Sequence, residues 1–420
     1  MNNEFKLHGM LFGVASAATQ IEGNEKNTNW YDWYLKGKIK DNTSCDIATL
    51  HYEKYVEDTK LMKKMGIECA RIGLEWARIE PEEDKFDYEV LERYKKELQL
   101  LNKYEIKPLV TIWHFSNPMW FENKGGFLCE NARDIFLKYV KTVVEYLDSE
   151  VESWVTLNEP NVYALNGYMG GDWPPGENNF FKFIKVMNVF NEIHIESYKL
   201  IHSINKKAKV GTSLHVRVFV PKDDTSLYQR FATTMVAQMF QTGCAKVMNT
   251  GKKSFPYKGY EEGKYYDFIG LNYYSRSMCK GFSNGTNTNC PKNDLDWEIY
   301  PEGISELAQE YYDEYKAPIY ITENGTSDNN DSFRCLYIYE HLKQLSKCKY
   351  VKRYYHWCFI DNWEWLEGMS TKFGIVQIDY PDQKRKIKKS GRFFSEIIEN
   401  NGVTNKMYEE YVKDEKYNIR

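Results

Sequence analysis

Eight short apolar segments of β type alternate with longer amphipathic segments from one end of this 420-residue chain to the other. Strands are predicted at residues 11–17, 69–74, 107–112, 153–157, 209–214, 267–271, 319–322 and 350–357. Helices are predicted at residues 52–65, 88–103, 131–147, 181–204, 227–248, 302–316, 332–346 and 390–400. Strict alternation indicates a parallel sheet, because parallel neighbours need a crossover that a helix usually provides.

Two parallel-sheet architectures fit this alternation, a closed (β/α)₈ barrel and an open, doubly wound sheet. The open sheet predicts a glycine-rich phosphate loop after the first strand, but residues 16–27 read SAATQIEGNEKN and contain no such loop. No Ser/Pro-rich linker or change of composition divides the chain. We therefore predict an α/β fold, a single (β/α)₈ TIM barrel over residues 1–420, with a short, charged, solvated extension at about 404–420.

The charge balance and the cysteine pattern exclude several functional classes. Lys plus Arg number 56 and Asp plus Glu number 60, for a net charge of −4, whereas a nucleic-acid binder needs a basic face. No apolar run of about 18 residues predicts a membrane span, and the N-terminus lacks the pattern of a secretory signal. The nine cysteines show no metal-ligand spacing. We expect a cytoplasmic protein without metal or cofactor; the oligomeric state stays open.

Polar and aromatic side chains recur where the predicted strands end. In a barrel these positions lie at one rim, which is where function resides. Amide, carboxyl, imidazole and indole groups together suit a neutral ligand rich in hydroxyl groups. In chain order the candidates are Gln20, Arg71, His114, Asn158, Glu159, Asn272, Tyr274, Glu323, Trp357, Glu364 and Trp365.

Two of these candidates, Glu159 and Glu323, follow strands on different sides of the predicted barrel. Cleavage of a glycosidic bond uses such a pair, an acid for the leaving oxygen and a second carboxylate opposite it. Arg71 and Tyr274 could both reach Glu323 and favour its ionised form, which suits a nucleophile. Glu159 has no nearby cation in the sequence, so we expect the raised pKa of an acid. HExxH and GxSxG motifs, which would indicate other hydrolases, are missing.

The strings TLNEP (156–160) and ITENG (321–325) resemble the two catalytic signatures of glycoside hydrolase family 1, the β-glucosidase-like retaining enzymes with (β/α)₈ barrels. The resemblance covers nearly the whole chain. It includes, in the family's order, FGVASAATQIEG, RIGLEWARIEP, VTIWHF, GLNYYS, WCFIDNWEWLEGMSTKFGIVQIDY and SGRFFSEIIENNGV. One pentapeptide would be weak support, but an ordered set of this kind is specific.

The resemblance implies a role for each matching residue. Glu159 would be the acid/base and Glu323 the nucleophile, with Arg71 and Tyr274 orienting the nucleophile. Trp357 would form the platform beneath the terminal sugar. The hydroxyl groups of that sugar would be bound by Gln20, His114, Asn158, Glu364 and Trp365.

Glu364 carries most of the information on the substrate. In the family a carboxylate at this position binds O4 and O6 of an ordinary sugar. The branch that acts on 6-phosphorylated sugars has a small hydroxyl residue there, with Lys and Tyr seven and nine positions later. Here those later positions are Thr371 and Phe373, although Lys372 is adjacent.

We therefore predict a β-glucosidase, a retaining enzyme that releases terminal non-reducing β-D-glucosyl residues from small β-glucosides. Galactosides and fucosides are secondary substrates in this prediction. Three alternatives stay open: a 6-phospho-β-glucosidase or 6-phospho-β-galactosidase, a transglycosidase that uses the same covalent intermediate, and a non-catalytic sugar-binding barrel. Loss of one catalytic Glu would mark the last of these, and both are present.

The leaving-group side of the predicted site departs from the family pattern. Residues 216–266, between the fifth and sixth strands, form a shorter stretch than usual and lack the family's DP-containing segment. Phe115 stands where many members have Trp. The aglycone preference is therefore left open by the sequence.

Overall fold

The computed structural model describes residues 3–419, and within them eight parallel strands form a barrel. The strands are β1 (Leu11–Ala15), β2 (Cys69–Gly73), β3 (Lys107–Trp113), β4 (Ser153–Asn158), β5 (Lys209–Pro221), β6 (Ile269–Lys280), β7 (Ile319–Asn324) and β8 (Val351–Trp357). The principal helix that follows each strand is, in order, α1 (His51–Lys64), α2 (Tyr88–Lys103), α3 (Ala132–Leu147), α4 (Phe180–Ile204), α5 (Leu227–Ala237), α6 (Glu302–Tyr315), α7 (Arg334–Leu345) and α8 (Lys389–Asn400).

Each barrel strand pairs with its neighbours in the sequence, and the last strand returns to the first. In β8, Arg353 lies opposite Leu11 of β1 and Trp357 lies opposite Ala15. The sheet has no gap between β6 and β7, where Ile319 pairs with Ile269. The predicted (β/α)₈ barrel is confirmed, and its closure leaves no open edge among the eight strands.

Shorter elements occupy the loops. Short α-helices span Ala18–Ile21, Asn29–Leu35, Trp76–Ile79, Met119–Asn123, Pro160–Ala164, Gly243–Thr250 and Asn405–Met407. Turns of 3₁₀ or π type span Gly126–Leu128, Asp148–Glu150, Leu165–Gly170, Gln238–Thr242, Trp365–Glu367 and Tyr408–Val412. Short strands span Phe5–Lys6, Ser283–Gly285, Pro291–Lys292, Val376–Asp379, Lys384–Ile387, Gly402–Val403 and Asn418–Ile419.

The strands and helices form where local chemistry and burial agree. All residues of β2 and β7 are buried, as expected for parallel strands that are covered on both faces. Helix α2 begins after Asp87, whose carboxylate accepts hydrogen bonds from the backbone N–H groups of Glu89 and Val90. Helix α8 buries Phe393, Phe394 and other apolar residues of one face. No helix within residues 3–419 is long and apolar enough to cross a membrane.

Strands β5 and β6 are longer than the sequence predicts. The predicted ends were 214 and 271, whereas pairing continues until Pro221 lies opposite Cys279. Val216, Val218 and Val220 lie in the added part of β5, and β-branched side chains at alternate positions favour a strand. The two strands therefore continue past the barrel rim as a paired ribbon, on the side where the sequence is shorter than its family resemblance suggests.

The segment predicted as a solvated extension at about 404–420 is exposed at most of its described residues, but its apolar side chains pack against the rest of the protein. Met407, Tyr411 and Val412 are buried against the rest of the protein. Lys389 donates a hydrogen bond to Glu415, 2.8 Å away. The charged residues of this segment conceal an apolar face that has helical spacing, and burial of that face fixes the segment.

A buried charge network joins the start of α1 to α2 and to the segment Lys384–Ile387. His51 Nδ1 lies 2.8 Å from Asp58 Oδ2, and His51 Nε2 lies 2.8 Å from Glu97 Oε1. Arg385 Nε donates to Asp58 Oδ1 at 2.8 Å. Burial lowers the pKa of His51, but the attraction and hydrogen bonds of Glu97 and Asp58 outweigh it and raise the pKa to about 9. The imidazole is therefore a doubly protonated cation held between two carboxylates.

This network predicts a specific loss of stability at alkaline pH. The folded pKa of His51 is about 9 and its ordinary value is 6.5. A raised pKa contributes stability that is complete below pH 6.5 and is lost as the pH rises through 9. The free energy of unfolding in urea should fall by about 3 kcal/mol across this window. In His51→Gln the fall should be largely absent, while exposed His8→Gln should retain it; an equal fall in His51→Gln would contradict the assignment.

Candidate active site

The guanidinium of Arg71, on β2, links two strand ends across the barrel. Its Nη1 donates to Glu323 Oε1 at 2.5 Å, and its Nη2 donates to Asn158 Oδ1 at 2.6 Å. The Nε atom donates to Thr111 Oγ1 at 2.9 Å. Because Arg71 is buried and each of these donors has a partner, the geometry of the ends of β4 and β7 is fixed by one rigid, planar group.

Glu323 stands near the end of β7 with a donor on each carboxylate oxygen. Arg71 occupies Oε1, and the hydroxyl of Tyr274 donates to Oε2 at 2.6 Å. Both contacts were expected from the sequence. Burial raises the pKa of Glu323 to about 7 despite Arg71; the charge of Glu159 adds to the rise, and the Tyr274 hydrogen bond opposes it. The carboxylate is thus oriented on both oxygens while one face remains available to a ligand.

Glu159 directly follows β4, and the backbone turns sharply at this residue. Its φ of +39° lies in the left-handed region, which is uncommon for a residue other than glycine. The backbone N–H of Glu159 donates to Ser213 O at 2.6 Å, and Pro160 begins a short helix. The turn directs the side chain into the barrel mouth, where Oε1 accepts a hydrogen bond from Asn272 Nδ2 at 2.9 Å.

A histidine and an arginine from the extended part of β5 stand behind Glu159. Arg217 Nε donates to His215 Nε2 at 2.8 Å. Because an arginine can only donate, Nε2 must accept, and the proton of a neutral ring lies on Nδ1. That Nδ1 lies 3.0 Å from Glu159 Oε1 and donates to it. Burial lowers the pKa of His215, the charge of Arg217 lowers it further and Glu159 opposes both, so the ring is neutral.

The raised pKa expected for Glu159, from the lack of a nearby cation in the sequence, is not found. Burial raises the pKa of Glu159, but the contacts of His215 and Asn272 and the charge of Arg71 outweigh burial and lower it. The pKa of Glu323 is shifted in the opposite direction, to about 7. At pH values below about 7 the two carboxyl groups therefore hold one proton between them. The proton belongs to the pair, and what is bound between the two groups determines its position.

Glu364 lies in the loop after β8 and contacts two other predicted site residues. Gln20 Nε2 donates to Glu364 Oε2 at 3.1 Å, and Trp357 Nε1 donates to Glu364 Oε1 at 3.3 Å. Burial raises the pKa of Glu364 to about 8. The two hydrogen bonds lower this pKa, and the negative charge of Glu323 raises it further. Further hydroxyl donors from a ligand would stabilise the ionised form.

Two buried polar atoms at this end of the cavity have no hydrogen-bond partner within residues 3–419: Gln20 Oε1 and His114 Nδ1. Asn158 Nδ2 donates to His114 Nε2 at 2.8 Å, so the ring proton lies on Nδ1. Burial, and then the charge of Arg71, lower the pKa of His114 well below its usual value and keep the ring neutral. Unpaired buried polar atoms are rare in native proteins, and because His114 lines the cavity, its Nδ1–H is a donor available to a ligand.

The predicted site residues all come together around one cavity of about 250 Å³. Gln20, Arg71 and Asn272 lie behind its wall and hold the side chains that line it. Within residues 3–419 no group of three or more His, Cys, Asp or Glu side chains could hold a metal ion. The predicted residues that line the cavity are His114, Asn158, Glu159, Tyr274, Glu323, Trp357, Glu364 and Trp365.

Indole and phenyl rings form a continuous wall on one side of the cavity. The ring of Trp365 stacks on His114, with centroids 5.7 Å apart and planes at 24°. Phe115 packs edge-on against Trp365 at 5.1 Å and against Trp173 at 5.0 Å. The smaller ring of Phe115 is thus supplemented by Trp173 from the loop after β4, which keeps this side of the cavity apolar.

The sequence reasoning missed the residues on the opposite side of the cavity. His215 directly follows residue 214, where the predicted fifth strand ends, so the strand-end pattern that indicates Asn158 also applies to it; Arg217 lies farther along. The alternation of Val216, Val218 and Val220 is the signal that could have extended the strand and placed Arg217 at the rim. Trp297 comes from a polar loop whose position depends on tertiary packing, and no local pattern indicates it.

A (β/α)₈ barrel that presents two buried carboxyl groups, amides and indoles to one cavity at its C-terminal rim has the architecture of a glycoside hydrolase. The model of the family described as Glycosyl hydrolase family 1 matches residues 1–403, and this chain belongs to that family.

Relatives with described activities are similar along most of the chain. A 1,4-beta-D-glucan glucohydrolase of Thermotoga neapolitana is 30% identical over 94% of this chain and 98% of its own length. A 6-phospho-beta-galactosidase of Clostridium acetobutylicum is 28% identical over 92% of this chain and 95% of its own. The solved beta-glycosidase from Pyrococcus horikoshii superposes with a TM-score of 0.89 at 32% identity, covering 98% of each chain.

Proposed function

We propose that this protein is a β-glucosidase that acts as one domain in the cytoplasm. It hydrolyses terminal non-reducing β-D-glucosyl residues of small β-glucosides with retention of configuration, and accepts galactosides and fucosides as secondary substrates. One observation carries the proposal: two buried carboxyl groups face one cavity with unlike partners. Arg71 and Tyr274 hold both oxygens of Glu323, whereas neutral donors hold one oxygen of Glu159.

The first step follows from these partners. A carboxylate oxygen of Glu323 attacks the anomeric carbon, and the bond from that carbon to the aglycone oxygen breaks. Glu159 transfers its proton to the departing oxygen, so the aglycone leaves as an alcohol or phenol. Arg71 keeps Glu323 aligned during the attack, and the product is a glucosyl ester of Glu323.

The proton for this step comes from the carboxyl pair. One proton is shared below about pH 7, and a substrate whose anomeric carbon faces Glu323 selects the state in which Glu323 is ionised and Glu159 is protonated. After the aglycone leaves, Glu159 is ionised and accepts a proton from water. The resulting hydroxide equivalent attacks the anomeric carbon, releases β-glucose and restores the ionised Glu323.

Three features support an unphosphorylated sugar. Glu364 accepts hydrogen bonds from Gln20 and Trp357. Among the described residues, no Lys or Arg lines the cavity at the end where Glu364 stands. Lys372, the cation nearest in sequence to the position that the phospho-enzymes use, lines a separate surface cavity. Phe373 lines the sugar cavity and has no hydroxyl for a phosphate. A phosphate would therefore be buried without a positive partner, which is strongly unfavourable.

Replacement of the two carboxyl groups distinguishes their proposed roles. Glu323→Ala should lower kcat on 2,4-dinitrophenyl β-glucoside by about 10⁴-fold or more, because no covalent intermediate can form. Azide should partly restore turnover by attacking from the vacated side, and the product should be the α-glucosyl azide. In Glu159→Ala, azide should instead replace water in the second step and give the β-glucosyl azide.

The two azide products must come from the two different variants for the assignment to hold. Exchange of the products would show that the roles of the glutamates are reversed. Glu122→Ala serves as the control, because Glu122 is a partly buried carboxyl group that does not line the cavity; the activity of this variant should not respond to azide.

A panel of nitrophenyl β-glycosides tests the substrate class. The value of kcat/KM should be highest for the glucoside, lower for the galactoside and fucoside, and about 100-fold lower for glucoside 6-phosphate, because the sugar end lacks a cation. Glu364→Ser should reduce glucoside turnover, since O4 and O6 lose their acceptor. Faster turnover of the 6-phosphate than of the glucoside by the wild-type enzyme would contradict the proposal.

A further inference from the structure

Arg217 is a positively charged side chain at the leaving-group side of the cavity that no carboxylate neutralises directly. Its Nε atom is occupied by His215 at 2.8 Å, and Nη1 makes a long contact of 3.4 Å with Ser277 Oγ. Within residues 3–419 it forms no ion pair with Asp or Glu, and Nη2 has no hydrogen-bond partner. The guanidinium also lies 5.8 Å from the ring centre of Phe240, and it is half-buried, so its Nη atoms remain available to a bound group.

A second cavity, of about 200 Å³, opens beside the sugar cavity at this arginine. His215, Arg217, Tyr274 and Trp297 line both cavities, so the two adjoin at the residues that stand beside Glu159. The described residues that line the second cavity include serine, threonine and asparagine side chains but no carboxylate. Arg217 therefore borders both cavities.

The other charged groups near the two cavities are already paired. Arg276 lines the second cavity, but its guanidinium donates to both carboxylate oxygens of Glu298. Glu367 lines the outer part of the sugar cavity and accepts a hydrogen bond from Lys40. Among the described residues, Arg217 is therefore the arginine lining these cavities that has no direct ion pair with a carboxylate.

The position of Arg217 relative to the acid/base locates the leaving group. Glu159 must touch the glycosidic oxygen, and the aglycone extends from that oxygen away from the sugar. His215 Nδ1 contacts Glu159, and Arg217 Nε contacts the opposite nitrogen of the same ring. The imidazole ring of His215 thus lies between Glu159 and the guanidinium of Arg217, which places the guanidinium on the side of the aglycone.

On this geometry we propose that the leaving-group side of the cavity binds an anionic group of the aglycone, a carboxylate or a phosphate, through the guanidinium of Arg217. The inference rests on the proposed β-glucosidase function and specifies its substrate class. A guanidinium presents paired N–H donors that match both anions, and charge-assisted bonds of this kind are strong.

The charges around Arg217 change during the reaction in a way that favours this substrate. In the empty enzyme the ionised Glu159 compensates Arg217 through His215. In the first step Glu159 must instead be protonated, and an anionic aglycone would take over as the counter-charge. When the aglycone leaves with its anion, Glu159 has given up its proton and is ionised again. The anionic group of the aglycone thus balances the charge of Arg217 only while Glu159 is protonated.

The test compares pairs of substrates that differ chiefly in the charge of the aglycone. The carboxylate arm uses 3- and 4-carboxyphenyl β-D-glucosides against the corresponding carbamoylphenyl glucosides, which are neutral and of nearly equal size. The phosphate arm uses cellobiose carrying a 6-phosphate on its reducing-end glucose against unmodified cellobiose. In the wild-type enzyme kcat/KM should be roughly tenfold to 100-fold higher for the anionic member of at least one arm. The arm that shows the preference identifies the anion.

Arg217→Gln should remove that preference, so that the anionic and neutral members have kcat/KM values within about twofold of each other. Comparing the two members within each variant cancels any general loss of activity through His215. Arg133→Gln is the matched control, because it removes one positive charge from an exposed position outside both cavities. The preference should persist in Arg133→Gln and should weaken with added salt.

Binding of the free aglycone tests the inference without turnover. By isothermal titration calorimetry, 4-hydroxybenzoate or glucose 6-phosphate should bind the wild-type enzyme at least about tenfold more tightly than Arg217→Gln, and 4-hydroxybenzamide should bind both equally. Hydrolysis of β-glucosides without any Arg217-dependent charge preference would overturn this inference and leave the proposed function standing. Arg217-dependent anion binding without hydrolysis of any β-glucoside would overturn the proposed function instead.

Discussion

The ion pair between Arg71 and Glu323 is the contact on which the geometry of the site depends. The same guanidinium holds Asn158, and Asn158 with Asn272 holds the region of Glu159, so the two carboxyl groups are spaced by a chain of short, buried hydrogen bonds. The strands that supply these side chains belong to a closed barrel and cannot move independently. A rigid scaffold of this kind keeps the carboxyl pair organised before a substrate arrives.

The sequence predicted the parts of the fold and of the site that short segments determine. Alternating β and α patterns gave the barrel, and the strings around Asn158, Glu159 and Glu323 placed the carboxyl groups at strand ends. The pairing of β5 with β6 determines the length of β5, and the alternation of Val216, Val218 and Val220 is its only local signal. The contact of His215 with Glu159 is a tertiary feature, because the two residues lie 56 positions apart in the chain and 3.0 Å apart in the fold.

The pKa of Glu159 shows most clearly where reasoning from sequence ends. Its neighbours in the chain are uncharged, which suggested a raised pKa, yet in the fold it meets His215, Asn272 and the field of Arg71. The net charge of −4 likewise says nothing of how charged groups are arranged around the cavity. Glu364 and Arg217 both line it, and in the proposed function they meet the sugar and the leaving group, respectively.

The stereochemical course of hydrolysis tests the central claim most directly, since two carboxyl groups can support either retention or inversion. Proton NMR of the wild-type enzyme acting on a β-glucoside should show β-glucose as the first product, with α-glucose appearing only later through mutarotation. Initial formation of α-glucose would mean that water attacks in a single displacement, and it would contradict the assignment of Glu323 as a nucleophile.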